Sequence, residues 1–154
     1  MARVVLEVTE TRPILDDAHL MDHITAWRDQ GYRIALDDYG VGYMGVGALL
    51  TVRPHIVKID RAVTAGAWRD SVRQAAVMAI LHVAHAAGAI VIAEGVETAA
   101  EYWLLRQLGV RYMQGYFFAK PQFAPHVGPM ALPPRLPTEP NVVPSRLEVS
   151  GAQG

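Results

Sequence analysis

Short runs of branched and apolar residues recur along the chain, separated by longer stretches of mixed character. Each run is long enough for a strand that is covered on both faces. The four clearest runs and a shorter fifth are Val4–Val8, Arg33–Leu36, His55–Ile59, Ala89–Ala93 and Arg111–Met113. We therefore predict five core strands, of which the last is short.

The stretches between these runs carry apolar residues at helical spacing. One face of a first helix would consist of Leu20, Ile24 and Trp27. One face of a longer helix would consist of Val72, Ala76, Ala79 and Val83. Each of these helices would bury a single stripe against the strands.

Residues that begin and end helices stand where this pattern requires them. Thr98 with Glu101 matches a capping box, and Asp16 or Asp17 can cap the first helix. The glycines expected at helix ends are Gly31, Gly88 and Gly109. Strands that alternate with helices indicate βαβ units and a parallel sheet, so the predicted fold class is α/β.

The composition changes after Pro121, because eight of the ten prolines lie between Pro121 and Pro144. Such a segment cannot hold a long helix. We therefore divide the chain into a folded domain, residues 1–121, and a proline-rich, flexible tail, residues 122–154.

Bulk composition excludes several classes of protein. A formal net charge of -1 provides no basic surface for polymeric DNA or RNA. The chain has no cysteine, so any metal must be held by oxygen or imidazole, and a reducing cytoplasm is the expected location. The most apolar stretch, residues 75–93, is interrupted by His82, His85 and Gly88, and we expect no membrane span. The N-terminus does not match a signal peptide, because Glu7 follows its first apolar residues.

Polar residues stand at or near the carboxyl end of each predicted strand. In chain order they are Glu7, Asp37 with Asp38, Lys58, Glu94 and Gln114. In a parallel βα fold this edge of the sheet binds ligands. A single acid at such a position is more often a helix cap, but five successive strands favour a site. Carboxylates gathered around one lysine call for a cation, and Mg²⁺ or Mn²⁺ prefers such oxygen ligands.

Asp37 and Asp38 are the most informative part of this pattern. Adjacent residues of a strand point to opposite faces, so both carboxylates can reach one site only if the strand bends after Leu36. The glycine-spaced loop that follows, residues 39–43, either moves over a ligand or is a plain turn. We expect Glu7, Asp37, Asp38, Lys58 and Glu94 to converge on one edge, with Lys58 paired to Asp38 when no metal is bound.

Five segments of the chain resemble, in order and spacing, the later motifs of the EAL domain family. They are Leu6-Glu7-Val8-Thr9-Glu10, residues 35–43 with Asp37-Asp38-Tyr39-Gly40, Val57-Lys58-Ile59-Asp60, residues 93–98 with Glu94-Gly95-Val96-Glu97, and residues 114–121 beginning Gln114-Gly115-Tyr116. The resemblance covers residues 4–121. It implies a TIM-like (β/α) barrel that hydrolyses cyclic di-GMP to the linear dinucleotide with Mg²⁺ or Mn²⁺.

The resemblance also implies roles for individual residues. Those matching metal ligands are Glu7, Asp37, Asp38 and Glu94. Catalytic roles fall to Asp38 and Lys58, of which Lys58 orients and helps activate the attacking water. Glu10 matches a glutamate that anchors the loop after Asp38, Glu97 a second supporting acid, and Gln114 the last polar group of the pocket.

Two features of the family pattern are absent from this sequence. The family's Glu-Ala-Leu motif does not occur in the sequence. The family's asparagine metal ligand, which comes from the strand before Glu7, is also missing, because the only asparagine is Asn141. A complete barrel takes about 250 residues, so the resemblance covers the C-terminal part of the domain, about five strands of eight. We expect a truncated phosphodiesterase that is inactive alone and self-associates or needs a complementing chain. The alternative is a degenerate module that acts through protein–protein interaction.

Overall fold

The computed structural model describes residues 4–9, 18–42 and 45–121. The strands of this part are β1 Val5–Val8, β2 Arg33–Tyr39, β3 Ile56–Ile59, β4 Ile90–Ala93 and β5 Tyr112–Met113. The helices are α1 Ala18–Asp29, α2 Val46–Val52, α3 Arg61–Thr64, α4 Ser71–Ala86 and α5 Ala99–Gln107, with a 3-10 turn at Ala67–Arg69. The expectations for Glu10, for a cap at Asp16 or Asp17 and for the tail fall outside these residues.

The five strands form one sheet in the order β1-β2-β3-β4-β5, and each pair of neighbours is parallel. The predicted α/β class and the alternation of strands and helices are therefore confirmed. Residues at or near the carboxyl ends of neighbouring strands also lie side by side: Val8 is paired with Leu36, Tyr39 with Ile59, and Ala93 with Met113. All carboxyl ends of the strands consequently meet at one edge of the sheet.

Apolar side chains cover one face of this sheet. In β2 and β3, the fully buried residues are Ile34, Leu36, Val57 and Ile59. The helices contribute one core cluster against them, which includes Ile24, Leu49, Val77, Leu81 and Leu105. Because alternate residues of a strand point to opposite faces, this packing commits the remaining strand residues to the other face.

The opposite face of the sheet is apolar but only partly buried by the described part of the chain. Val5 is 38% exposed and Tyr112 is 47% exposed. Between them, Ile56, Ile90 and Ile92 are of intermediate exposure. Val5, Ile56, Ile92 and Tyr112 each stand two residues before a polar group at a strand end, and residues two apart share a face, so the site sits on the less covered face.

Local signals at the helix ends act as expected. The backbone N–H of Glu101 donates to Thr98 Oγ1 at 3.2 Å, and the N–H of Thr98 donates to Glu101 Oε2 at 3.0 Å, which completes the capping box. The helix before β2, α4 and α5 are each followed by a glycine with positive φ, at Gly31, Gly88 and Gly109. These ends fix where the chain turns back towards the sheet.

The buried stripe predicted for α4 is wrong. Val72 is 75% exposed, whereas the buried residues of this helix are Gln74, Val77, Leu81 and Ala84. These four residues stand at helical spacing and form the stripe that packs on the core, and Gln74 can lie in it because its Nε2 donates to Ala67 O at 3.0 Å. Val72, whose N–H donates to the capping Asp70, lies on the solvent side.

Within the described ranges, no helix has the length and hydropathy needed to cross a membrane.

His55 ties three strands together at the amino end of the sheet. Its Nδ1 accepts a hydrogen bond of 3.0 Å from the backbone N–H of Ile34. Its backbone N–H donates to Ile34 O, and its carbonyl accepts from Ile90 N–H. Burial lowers the pKa of His55, and the positive charges of Arg28 and Arg33 lower it further. The folded chain therefore favours the neutral imidazole, whose Nδ1 is free to accept.

This arrangement predicts a loss of stability in mild acid. Because folding lowers the pKa of His55, the free energy of unfolding should be unaffected above about pH 6.5. Below that pH it should fall by at most about 1.4 kcal/mol per pH unit, until the lower pKa of the folded chain is reached. Urea unfolding of His55→Asn, whose amide oxygen can replace Nδ1, should lack this component. The exposed His82→Asn is the control, and identical acid profiles for His55→Asn and the unaltered chain would contradict the assignment.

Candidate metal site

Polar side chains from five successive strands meet at the carboxyl edge of the sheet. Glu7 lies on β1, Asp37 on β2 and Lys58 on β3, while Glu94 and Gln114 directly follow β4 and β5. The parallel register of the sheet brings these positions together. The convergence expected from the sequence is therefore what the structure displays.

Lys58 lies at the centre of this group. Its Nζ is 3.0 Å from Glu7 Oε1, 2.8 Å from Asp37 Oδ1 and 2.9 Å from Glu94 Oε1. The side chains of Lys58, Asp37 and Glu94 are only 11%, 18% and 15% exposed, whereas that of Glu7 is 49% exposed. One ammonium thus holds three carboxylates, two of them largely out of solvent.

The strand bends at the second aspartate, as the sequence analysis required. Asp38 has φ of 52°, and the pairing of β2 with β3 is irregular between Leu36 and Tyr39. One carboxylate oxygen from each of Asp37, Asp38 and Glu94 lies within 4.8 Å of the others. The bend therefore presents both aspartates to the same space.

The ion pair expected between Lys58 and Asp38 is replaced by one with Asp37. Asp37 points along the sheet face towards β3, where Lys58 Nζ lies 2.8 Å away. The left-handed backbone of Asp38 instead directs its exposed carboxylate outward from the strand. Asp38 is the aspartate more open to an incoming ligand.

The charges at this edge shift one another's pKa. Burial alone would lower the pKa of Lys58, but its contacts with Asp37, Glu94 and Glu7 outweigh burial and raise it well above its ordinary value. Burial has the largest effect on Glu94 and raises its pKa; Lys58 lowers it, and the negative charges of Asp37 and Asp38 add to the rise, so the net shift is upward. Burial and the charge of Asp37 likewise raise the pKa of Asp38. The carboxylates are therefore crowded, and one lysine does not fully compensate them.

The donor set fits a hard divalent cation. Among the described residues, Asp37 Oδ1 is buried and meets no hydrogen-bond donor in good geometry, so the Lys58 ammonium 2.8 Å away compensates it by charge. The three clustered carboxylates offer oxygen ligands alone, which suits Mg²⁺, Mn²⁺ or Ca²⁺ rather than a soft metal. A buried oxygen without a directional partner is the kind of atom that a bound ion satisfies.

Gln114 fixes the position of Glu94. Its Nε2 donates to Glu94 Oε1 at 2.6 Å. Its backbone also joins β4, since Gln114 N–H donates to Ala93 O and its carbonyl accepts from Val96 N–H. Gly115 makes this approach feasible, because a Cβ there would lie 2.2 Å from Val96 O. Gln114 therefore supports Glu94 from both its side chain and its backbone.

Glu97 lies beside the cluster rather than in it. Its Oε2 accepts a hydrogen bond of 2.7 Å from Arg61, and its backbone N–H donates to Glu101. Arg61 runs across Gly95, where a Cβ would lie 2.6 to 2.8 Å from carbons of the Arg61 side chain. Glu97 thus anchors a positively charged side chain next to Glu94.

Sequence reasoning assigned no role to Asp60 or Arg61. Asp60 Oδ1 accepts a hydrogen bond of 2.6 Å from Ala62 N–H, which caps α3, and the charge of Asp60 helps to raise the pKa of Asp38. Asp60 also borders a cavity with Asp37, Asp38, Val41 and Gly42. The available signal was its place immediately after β3, where the other strands also end in polar residues.

Comparison with known proteins gives one consistent family. The family model described as the EAL domain matches residues 1–121. The chain is 35% identical over 119 residues to the probable cyclic di-GMP phosphodiesterase PdeA of Escherichia coli, in an alignment covering 77% of this chain and 16% of that protein. The chain thus spans only a small part of this relative.

Solved structures agree with that comparison. BlrP1 of Klebsiella pneumoniae in its calcium and cyclic di-GMP complex matches with a TM-score of 0.73 and 34% identity, over 77% of this chain and 30% of that chain. The same protein is also known as a manganese and cyclic di-GMP complex. A standalone EAL protein of Vibrio cholerae bound to cyclic di-GMP matches with a TM-score of 0.72 and 35% identity, over 77% of this chain and 50% of that chain.

The contact at Gly115 predicts a large cost for a single methyl group. Gly115→Ala should reduce the free energy of unfolding by about 3 kcal/mol or more, since strain at positive φ adds to a backbone clash. Gly88→Ala is the matched control, because Gly88 also has positive φ but has no atom within 4 Å of the added Cβ. That variant should lose only about 1 to 2 kcal/mol. Equal losses for the two variants in urea unfolding would refute the packing argument.

Proposed function

The chain belongs to the EAL domain family, and we propose that its strand-end acids form part of a divalent-metal site that hydrolyses cyclic di-GMP. We further propose that the described strands do not complete this site on their own. The observation that carries the proposal is the clustering of oxygens from Asp37, Asp38 and Glu94 within 4.8 Å. The calcium, manganese and cyclic di-GMP complexes of similar proteins support the choice of ion and ligand.

The ligands that this chain would supply are Glu7, Asp37, Asp38 and Glu94. Asp37, which the family pattern marks as a metal ligand, belongs both to the oxygen cluster and to the ion pairs of Lys58. A bound Mg²⁺ or Mn²⁺ would lower the pKa of a water and balance charge on the phosphoryl group. Gln114 would keep Glu94 oriented through its 2.6 Å hydrogen bond.

Lys58 would act as a positively charged donor rather than as a base. The raised pKa keeps its ammonium protonated at neutral pH. If a bound ion takes over Asp37 and Glu94, the N–H groups of Lys58 that now face them would be free to donate to the attacking water and to a phosphate oxygen, but the ammonium cannot take a proton from them. The exposed Asp38 is the side chain that would orient the water from the open side of the edge.

Further groups flank the reacting phosphate in this proposal. Arg61, held by Glu97 at 2.7 Å, places a second positive charge beside Glu94. The loop that begins after Asp38 would be anchored by Glu10, as the family pattern implies. The domain would consist of residues 1–121, the span of the family match.

The sheet itself is the reason to propose that these strands are insufficient. A TIM-like barrel closes with eight strands, whereas the described residues form five with free edges at β1 and β5. On the site face, Val5 and Tyr112 remain 38% and 47% exposed. The same exposed surface supports the second candidate function, a module that binds another protein through this face and these edges.

We expect the purified chain not to hydrolyse cyclic di-GMP measurably with Mn²⁺. Addition of a polypeptide carrying the first strands of an active EAL domain should produce the linear dinucleotide, which chromatography detects. Asp38→Asn should reduce that activity by at least about a hundredfold, because a ligand to the ion is lost. Asp29→Asn, the same change at the distant end of α1, should leave it unaltered. Hydrolysis by the chain alone that is lost in Asp38→Asn would refute the proposal that these strands do not complete the site.

The free edges predict self-association of the purified chain. Unpaired N–H and C=O groups on β1 and β5 favour pairing with another copy. Sedimentation velocity should show oligomers that increase with concentration, and Tyr112→Lys on the β5 edge should shift them towards monomer. Val72→Lys, a charge added on the exposed side of α4, should not. A compact monomer with a cooperative thermal transition at all concentrations would contradict the prediction.

A further inference from the structure

Lys58 is the cation that holds the acids of the carboxyl edge together. Its Nζ contacts Asp37 at 2.8 Å, Glu94 at 2.9 Å and Glu7 at 3.0 Å. Within the described ranges, no other basic side chain forms an ion pair with any of these three acids. The neutralisation of the cluster therefore rests on a single ammonium.

The ammonium is fixed at this place by the fold. Lys58 belongs to β3, which is paired with β2 on one side and β4 on the other. The residue is 9% exposed, so its stem is enclosed by the neighbouring strands. A lysine held in this way occupies the space between the carboxylates instead of extending into solvent.

Two of the carboxylates that Lys58 contacts are also ones that a divalent ion would use. Asp37 and Glu94 belong both to the ion pairs of Lys58 and to the oxygen cluster that fits a cation. Asp38 belongs to the cluster and forms no ion pair with Lys58. An ion entering beside Asp38 must therefore share carboxylates that already face a positive charge.

We propose that Lys58 is a built-in substitute for the divalent ion, which stabilises the metal-free edge and competes with the ion for Asp37 and Glu94. This inference rests on the proposed metal site and concerns its regulation. Removal of Lys58 should destabilise the metal-free protein and strengthen binding of the ion. Removal of a residue that only orients water should not have this effect. Three carboxylates without a counterion repel one another until a cation enters.

The experiment compares Lys58→Met with the unaltered chain in metal-free buffer and in Mn²⁺. Methionine keeps the length of the side chain and removes its charge. The metal-free variant should melt roughly 10 °C lower. Its dissociation constant for Mn²⁺, measured from the paramagnetic resonance of the free ion, should be smaller by about tenfold or more, since a positive charge near the ion is gone. Mn²⁺ should raise the melting temperature of the variant more than that of the unaltered chain.

Two control variants separate this effect from net charge. Arg33→Met removes one positive charge from the exposed amino end of β2, the end of the sheet opposite the cluster, and it should change the Mn²⁺ affinity by less than about threefold. Lys58→Arg keeps the charge and should bind Mn²⁺ no more tightly than the unaltered chain. Tighter binding by Arg33→Met equal to that of Lys58→Met would overturn the proposal.

The remaining outcomes are also decisive. Should Lys58→Met fail to fold without metal, refolding in millimolar Mn²⁺ is expected to recover it, and failure to do so overturns the substitute role. Equal Mn²⁺ affinities for Lys58→Met and the unaltered chain would remove that role and leave the metal site standing. Absence of Mn²⁺ binding by both proteins, also after addition of the polypeptide that carries the first strands, would overturn the substitute role and the proposed metal site together.

Discussion

Parallel pairing is the constraint on which the site depends, because it places the carboxyl end of every strand on the same edge of the sheet. Polar residues at those ends therefore lie close together, and their charges must be balanced. Lys58 meets this requirement from the central strand, and its long side chain reaches past β2 to Glu7 on β1. The same geometry that creates an acidic ligand set therefore supplies its counterion, and the stability of the edge and its chemistry are linked.

Most of the fold could be predicted from the sequence because its strands are short, continuous apolar runs. Runs of this length, bounded by turn residues and alternating with helical patterns, are typical of buried parallel strands. Helix orientation was less predictable. The alanine-rich α4 offers several faces of similar hydrophobicity, and Gln74 is buried while Val72 is exposed because Gln74 finds a partner in Ala67 O, which is distant from the apolar pattern. The helices α2 and α3 are too short to carry a recognisable stripe, and no pattern predicted them.

The candidate site could be predicted as a set of residues but not as a set of contacts. The rule that strand ends converge identified Glu7, Asp37, Lys58 and Glu94. The choice of Asp37 over Asp38 as the partner of Lys58 depends on a left-handed residue within an irregular strand pair, which no local pattern specifies. The hydrogen bond from Ile34 to His55 and the pairing of Arg61 with Glu97 join residues distant in sequence, so they could not be predicted from spacing.

Closure of the sheet and demand for a cation are physically coupled. The polar edge stands on the face that also exposes Val5 and Tyr112. Any surface that covers these apolar residues must also remove water from the adjoining carboxylates, and charge interactions strengthen as the effective dielectric constant falls. The side chain of Glu7 is 49% exposed, so solvent and Lys58 together screen the negative charge of the cluster. Once that solvent is excluded, one ammonium no longer balances the cluster, because an unpaired carboxylate costs more free energy after it has lost its water. A divalent ion is the group that can restore the balance, so the affinity of this edge for metal should increase as its sheet becomes enclosed.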